Sequence, residues 1–152
     1  MSRFEGVKRR MERTATVANI AIYDDFAHHP TAIEKSIRSM RKRYPGHRVV
    51  VAIEPRSNTM KLGVHNELLA DSLRDADLVW MFRPEGMPED FEDNLQSLGG
   101  KLRLFDDYDR LVNDMSTRVL GGDQVVFMSN GGFGSARQTL TALLQRTRGG
   151  QS

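Results

Sequence analysis

No cysteine occurs among the 152 residues, which removes disulfide staples, thiolate metal sites and thiol chemistry from the functions open to this chain and suits a reducing compartment. Nor is there any apolar run near the roughly 20 residues of a membrane span, and the polar, basic start has no apolar stretch behind it. An excess of one charge is missing too: 22 Lys and Arg stand against 20 Asp and Glu, spread along the chain, so no footprint for nucleic acid is expected. Phosphate-loop, dinucleotide and serine-hydrolase signatures are absent as well. There is no G-x-x-x-x-G-K-[ST], no G-x-G-x-x-G after a first strand and no G-x-S-x-G elbow. The expectation is a cytoplasmic protein without nucleic-acid or membrane partners, and of a length for one domain.

What is present is a repeated pattern. Five short apolar runs, at 20–23, 49–53, 78–82, 102–105 and 125–128, alternate with segments of helical period. The middle runs are apolar without alternation, as parallel strands covered on both faces should be. Helical stripes follow: Ile33, Ile37, Met40 and Tyr44; Val64, Leu68, Leu69 and Leu73; Phe91, Leu95 and Leu98, stopping at Gly99-Gly100; Tyr108, Leu111, Val112, Met115 and Val119; and Leu140, Leu143 and Leu144. Pro30 and the Thr31-x-x-Glu34 pattern predict a capping box at the start of the first helix. Thr14 to Val17, then Ala18-Asn19, predict an antiparallel edge strand in a hairpin with 20–23. Five βα units in this length predict a Rossmann-like, doubly wound α/β fold, with a mostly parallel sheet of about six strands and one antiparallel edge strand. Trp80, alone of its kind and in mid-run, is expected in the core.

In such sheets ligands gather beyond the C-terminal ends of the strands, and three loops there are chemically unusual. The first, Asp24-Asp25-Phe26-Ala27-His28-His29-Pro30, sets two carboxylates and two imidazoles before a helix N-terminus. The acids suit ribose hydroxyls and the helix end suits a phosphate; the alternative is helix capping, with both histidines solvated. A metal site is not expected, because adjacent loop histidines diverge and no third ligand has motif spacing. The second loop, Glu54-Pro55-Arg56-Ser57-Asn58-Thr59-Met60-Lys61, offers an arginine fork and a lysine charge to an acidic substrate group, or is a solvated turn. The third, Ser129-Asn130-Gly131-Gly132-Phe133-Gly134, lets backbone amides approach a ligand, or simply begins the last helix. A receiver domain would need an aspartate ending its third strand and a lysine ending its fifth, where this chain has Phe82-Arg83 and Met128-Ser129.

The strings Gly6-Val7-Lys8-Arg9-Arg10-Met11-Glu12, Tyr23 to Thr31, Glu54 to Lys61 and Met128 to Gly134 resemble, in order and spacing, the C-terminal domain of the Mur ligase family. The D-D-F-A-H-H-P string resembles its muramate-joining branch. E-P-R-S-N-T-M-K resembles the members that join the murein tripeptide L-Ala-γ-D-Glu-meso-diaminopimelate to UDP-N-acetylmuramate in peptidoglycan recycling, rather than those that add L-alanine. The resemblance implies an ATP-dependent amide ligation through an acyl phosphate, by three domains of which this is the last. The phosphate loop and the Mg²⁺ ligands would lie in the central domain, so no complete catalytic set is expected here and the chain should be inactive alone. It further implies ATP contacts from Arg10, Asp24 and Asp25, with His28 and His29 on the phosphate side. Arg56 would grip a substrate carboxylate, Ser57, Asn58 and Lys61 would extend that grip along the tripeptide, and Asn130 and Gly131 would face the same substrate. Ser135-Ala136-Arg137 departs from the family pattern. Residues 1–12 are expected to be a linker from the central domain, 13–147 the domain itself and 148–152 a disordered tail. Two alternatives stand: the corresponding domain of the L-alanine-adding ligase, and a free-standing nucleotide-binding regulatory module.

Overall fold

A computed structural model describes residues 12–25, 30–54, 66–83, 92–128, 133 and 135–147. Its strands are β1 (Glu12–Val17), β2 (Ile20–Asp25), β3 (Val49–Ile53), β4 (Leu78–Phe82), β5 (Leu102–Phe105) and β6 (Gln124–Met128). They form one sheet in the order β1-β2-β6-β3-β4-β5. Every pairing is parallel except β1 with β2. The hairpin between those two turns on Ala18 and Asn19, both at positive φ (52° and 67°), as a two-residue turn matched to strand twist requires. The expected architecture is therefore observed, antiparallel edge included.

Among the described residues four α-helices flank the sheet: α1 (Pro30–Arg43), α2 (Asn66–Ser72), α3 (Tyr108–Arg118) and α4 (Ala136–Thr147). The pleat divides the strand residues between two cores. Tyr23, Val49, Val51, Ile53, Val79, Met81 and Val126 pack with Ile33, Ile37 and Met40 of α1 and Leu69 and Leu73. Ile20, Ile22, Val50, Ala52, Trp80, Val125 and Phe127 pack with Leu111, Val112 and Met115 of α3 and Leu140 and Leu144 of α4. Successive crossovers from β2 to β5 run in one direction and lie on the first face. The return from β5 to β6 runs the other way, and right-handed crossover then puts α3 on the second face.

Two local expectations give way. Thr31 is the second residue of α1, whose first is Pro30, so it does not flank the helix as a capping box requires. Glu34 pairs instead with Arg38 one turn on, at 2.9 Å. The third helical stripe forms a 3₁₀ segment, Asp93–Lys101, not an α-helix. Its buried Leu95 and Leu98 are three apart, a spacing that three residues per turn stacks on one face. Gly99 (φ 60°, ψ −141°) breaks the helical path inside it, and the Leu102 N–H closes on the Gly99 carbonyl. Val64 and Phe91, expected on helical stripes, lie outside the described residues.

Candidate functional site

The parallel strands present their C-terminal ends along one edge. Asp24 and Asp25 end β2, Met128 ends β6, Glu54 follows β3, Arg83 follows β4 and Asp106 follows β5. Because side chains alternate along a strand, the two acids of β2 do not share a face. Asp25 points toward α1, is buried (2% exposed) and accepts a short hydrogen bond from the Ser36 hydroxyl of that helix. Asp24, half-buried, lies on the face that carries α3 and α4. Of the two acids expected at a ribose, only one faces each side of the sheet.

At the end of β3 the Glu54 side chain lies on the α3 face. The Tyr108 hydroxyl donates to its Oε2 at 2.8 Å, while Oε1 is buried with no hydrogen-bond partner among the described residues. Burial is the larger influence on Glu54 and raises its pKa above the ordinary carboxylate value, with the Tyr108 bond opposing. Burial, and then the bond to Glu54, push the Tyr108 hydroxyl upward. Tyr108 starts α3, which is capped by Asp107 accepting from the Arg110 N–H at 3.1 Å. The Tyr108 ring stacks on Phe82 (4.1 Å between centroids, 14° between planes) and lies 6.0 Å from Phe133, which meets Phe127 edge to face at 5.5 Å. One tyrosine thus touches the ends of β3 and β4 and the segment leading into α4.

Beside this cluster a cleft of about 420 Å³ is lined by Arg83, Glu92, Leu104, Phe105, Asp106 and Arg110. Arg83 Nε lies 3.5 Å from Glu92 Oε2 but is buried and makes no hydrogen bond among the described residues. The cleft therefore carries both charge signs at the strand ends, a lining suited to a zwitterionic group.

Most residues expected at a ligand, namely Arg10, His28, His29, Arg56, Ser57, Asn58, Lys61, Asn130 and Gly131, lie outside the described residues, as does the expected tail at 148–152. Glu12, assigned to the linker, is instead the first residue of β1. In the departing string, Ala136 opens α4 and is buried (3% exposed), and the Arg137 carbonyl accepts from the Thr141 hydroxyl, so both serve the helix. Among the described residues no group of three or more His, Asp or Glu side chains is placed to hold a metal ion. No described helix is long and apolar enough to cross a membrane. The Glu54–Tyr108 pair carried no signal in the sequence, since nothing local joins residues 54 apart.

A mostly parallel, six-stranded sheet with an acidic end to β2 has a counterpart among known families. Residues 9–131 match the family described as Mur ligase, glutamate ligase domain, and the chain belongs to the Mur ligase family as a C-terminal domain of that kind. It is 38% identical over 138 residues to the UDP-N-acetylmuramate–L-alanyl-γ-D-glutamyl-meso-2,6-diaminoheptandioate ligase of Haemophilus influenzae, covering 90% of this chain and 30% of that protein. A solved structure of a murein peptide ligase from Psychrobacter arcticus is 36% identical, with a TM-score of 0.80 over 91% of this chain and 30% of that one. A single domain from a putative ligase of the same kind from Haemophilus ducreyi is 36% identical, with a TM-score of 0.75 over 89% of this chain and 99% of that one. The chain thus spans about a third of the length of the full-length relatives it matches.

Proposed function

We propose that this chain forms part of a cytoplasmic ATP-dependent ligase that joins L-Ala-γ-D-Glu-meso-diaminopimelate to UDP-N-acetylmuramate, and supplies nucleotide contacts and the peptide-acceptor site. The carrying observation is identity of 36–38% to ligases of this specificity over 90% of the chain. The fit to ATP is tested by the β2 end. Asp24, half-buried at the end of β2, is assigned to the ribose hydroxyls, with Asp25, which accepts from Ser36, beside it and Arg10, His28 and His29 toward the phosphates. Mg²⁺, which would neutralise phosphate charge, would be held by the central domain of such a ligase and not by this chain.

On the acceptor side, Arg56 holds a carboxylate of the tripeptide through its planar fork, with Ser57, Asn58, Lys61, Asn130 and Gly131 around it. The amine then attacks the muramoyl acyl phosphate: a C–N bond forms, the C–O bond to phosphate breaks, and the amine loses a proton. Residues 1–11 act as the linker to the rest of the ligase. Alone, the chain binds either ligand weakly and turns nothing over, because a site shared among domains leaves about half its contacts elsewhere.

The test is reconstitution: this chain is added to separately purified N-terminal and central domains of a murein peptide ligase, and ATP-dependent ligation is assayed with and without Arg56→Ala. Activity that needs the chain and falls at least about tenfold with Arg56→Ala, the worth of one charged hydrogen bond, is the expected result. An active mixture that prefers free L-alanine would overturn the acceptor assignment, and a sub-micromolar ATP affinity of the chain alone would overturn the division of roles.

A further inference from the structure

We infer that the cleft at the ends of β4 and β5 is the subsite for the far end of the acceptor peptide, where a single carbon carries both an ammonium and a carboxylate. Arg83 and Arg110 take the carboxylate and Asp106 the ammonium. The inference rests on the proposed ligase reading.

Three observations carry it. First, the lining is mixed in sign and largely uncommitted. In this cleft of about 420 Å³, Arg83 lies 3.5 Å from Glu92, an ion pair that holds the guanidinium in place. Its Nε is nevertheless buried with no acceptor among the described residues, and a buried donor without an acceptor is costly. Asp106 and Arg110 are exposed, and their side chains have no partner among the described residues. A ligand bearing both signs on one carbon meets each of these groups with its complement. Leu104 and Phe105 add apolar lining for a methylene chain, as in small-ligand sites of ~300–1,000 Å³.

Second, the backbone beneath the two arginines is fixed. The Arg83 N–H bonds the Phe105 carbonyl at 2.7 Å, and the Arg110 N–H bonds the Asp107 cap at 3.1 Å. One arginine thus springs from a strand end and the other from the first turn of α3, so both are held ready before a ligand arrives.

Third, the sheet order sets the distance. The C-terminal ends of the parallel strands follow one another as β2-β6-β3-β4-β5, whereas β1 is antiparallel and presents its other end there. A peptide whose amine stands by the nucleotide at β2 can therefore extend along this edge in one direction only. β4 and β5 lie three and four strands from β2, or about 14–19 Å at ~4.8 Å per strand. From the alanine amine to the far carbon of diaminopimelate the peptide is about 13 bonds long, which spans about 15 Å when extended. That carbon is the only one in L-Ala-γ-D-Glu-meso-diaminopimelate to carry both charges, so the lining selects this end of the peptide and no other part of it.

The experiment is an NMR titration of the 152-residue chain with that tripeptide and with two analogues. In one, L-lysine replaces diaminopimelate and removes the far carboxylate; in the other, 2-aminopimelate removes the far amine. Wild type is expected to bind each analogue about tenfold more weakly than the tripeptide, the worth of one charged hydrogen bond. Arg110→Ala should weaken the tripeptide about tenfold and leave the lysine analogue within about twofold, because the carboxylate it served is already gone. Asp106→Asn should do the same with the aminopimelate analogue as the insensitive one. ATP shifts should be unchanged in both variants, which a merely structural role would not spare, and Trp80 emission checks folding. The comparison of peptides on wild type needs no variant at all. Equal binding of the three peptides by wild type, or a variant that weakens all three alike, would overturn the inference while leaving the ligase reading to its reconstitution test. A wild-type chain that shows no tripeptide shifts at millimolar ligand would remove the acceptor reading and the inference with it.

Discussion

Replacing Asp114 by alanine removes three hydrogen bonds at once, and the only tryptophan in the chain reports the result. Trp80 is fully buried in β4 (0% exposed) and donates through its indole N–H to Asp114 Oδ2 at 2.8 Å. The same oxygen accepts from Arg103 Nε at 2.5 Å, and Oδ1 accepts from Arg118 Nε at 3.3 Å. The two arginine pairs are partly exposed, with side chains at 37% and 48%, and solvent holds each to about 0.5 kcal/mol. The indole has no such relief, and an orphaned buried donor costs about 1–3 kcal/mol. Asp114→Ala should therefore cost about 2–4 kcal/mol, a large share of the ~5–15 kcal/mol that holds a domain together, and lower Tm by roughly 10 °C. Urea titration followed by Trp80 emission measures it, with Arg103→Ala and Arg118→Ala as controls expected near 0.5 kcal/mol each. Either arginine variant costing as much as Asp114→Ala, or Asp114→Ala lying within about 0.5 kcal/mol of wild type, would refute the argument.

The same carboxylate sets a pH dependence. Burial acts to raise its pKa, but the hydrogen bonds from Trp80, Arg103 and Arg118 outweigh this and hold it below the ordinary value. A depressed folded pKa means stabilisation complete above the unfolded value of about 3.9 and lost as pH falls through the folded one, so the wild-type advantage over Asp114→Ala should shrink on acidification. Glu54 has the opposite sign: its raised folded pKa gives stability that is full below the unfolded value of about 4.3 and lost as pH rises through the folded value. Glu54→Gln should thus gain on wild type between acid and neutral pH in urea titrations; a gap constant with pH would contradict the shift. Arg48 holds Asp123 through Nε at 3.0 Å and a terminal nitrogen at 2.7 Å. Asp123 is 4% exposed at its side chain and Arg48 37%, so Arg48→Ala should cost about 2 kcal/mol or more, short of the ~3–5 kcal/mol for a fully buried pair. Gly122→Ala places a side chain at φ 97° and should cost about 1–2 kcal/mol by the same titration, although the new methyl would meet His47 only at ordinary contact distance.

The central strands were legible because β3 and β6 are buried along their whole length, so their apolar runs stand out without alternation. The hairpin was legible from the Ala18-Asn19 break between two runs, Asn19 being a residue that tolerates positive φ. The 3₁₀ segment was not, because Leu95 and Leu98 satisfy either period and Gly99 decides between them only once its backbone is seen. The capping box failed by one position: Pro30 was already helical. The acids of β2 were legible as a pair, but their division between two faces depends on where the strand ends, which composition does not reveal. Glu54 with Tyr108, and Trp80 with Asp114, meet across 54 and 34 residues, and no local pattern announces a contact that the sheet order creates. The acceptor assignments rest on family resemblance and on loop chemistry, since a short polar loop has no period to read.

The place of β6 has a consequence for synthesis. It is the last of the described strands to be made, yet it lies between β2 and β3, pairing with both. A ribosome therefore delivers two pieces of sheet, the β1–β2 hairpin and the β3–β4–β5 ladder, each with a bare inner edge. Among the described strands, only β6 joins them. Until those five residues arrive, both edges are open templates for another strand, and a chain ended before Gln124 is left as two half-sheets with no seam.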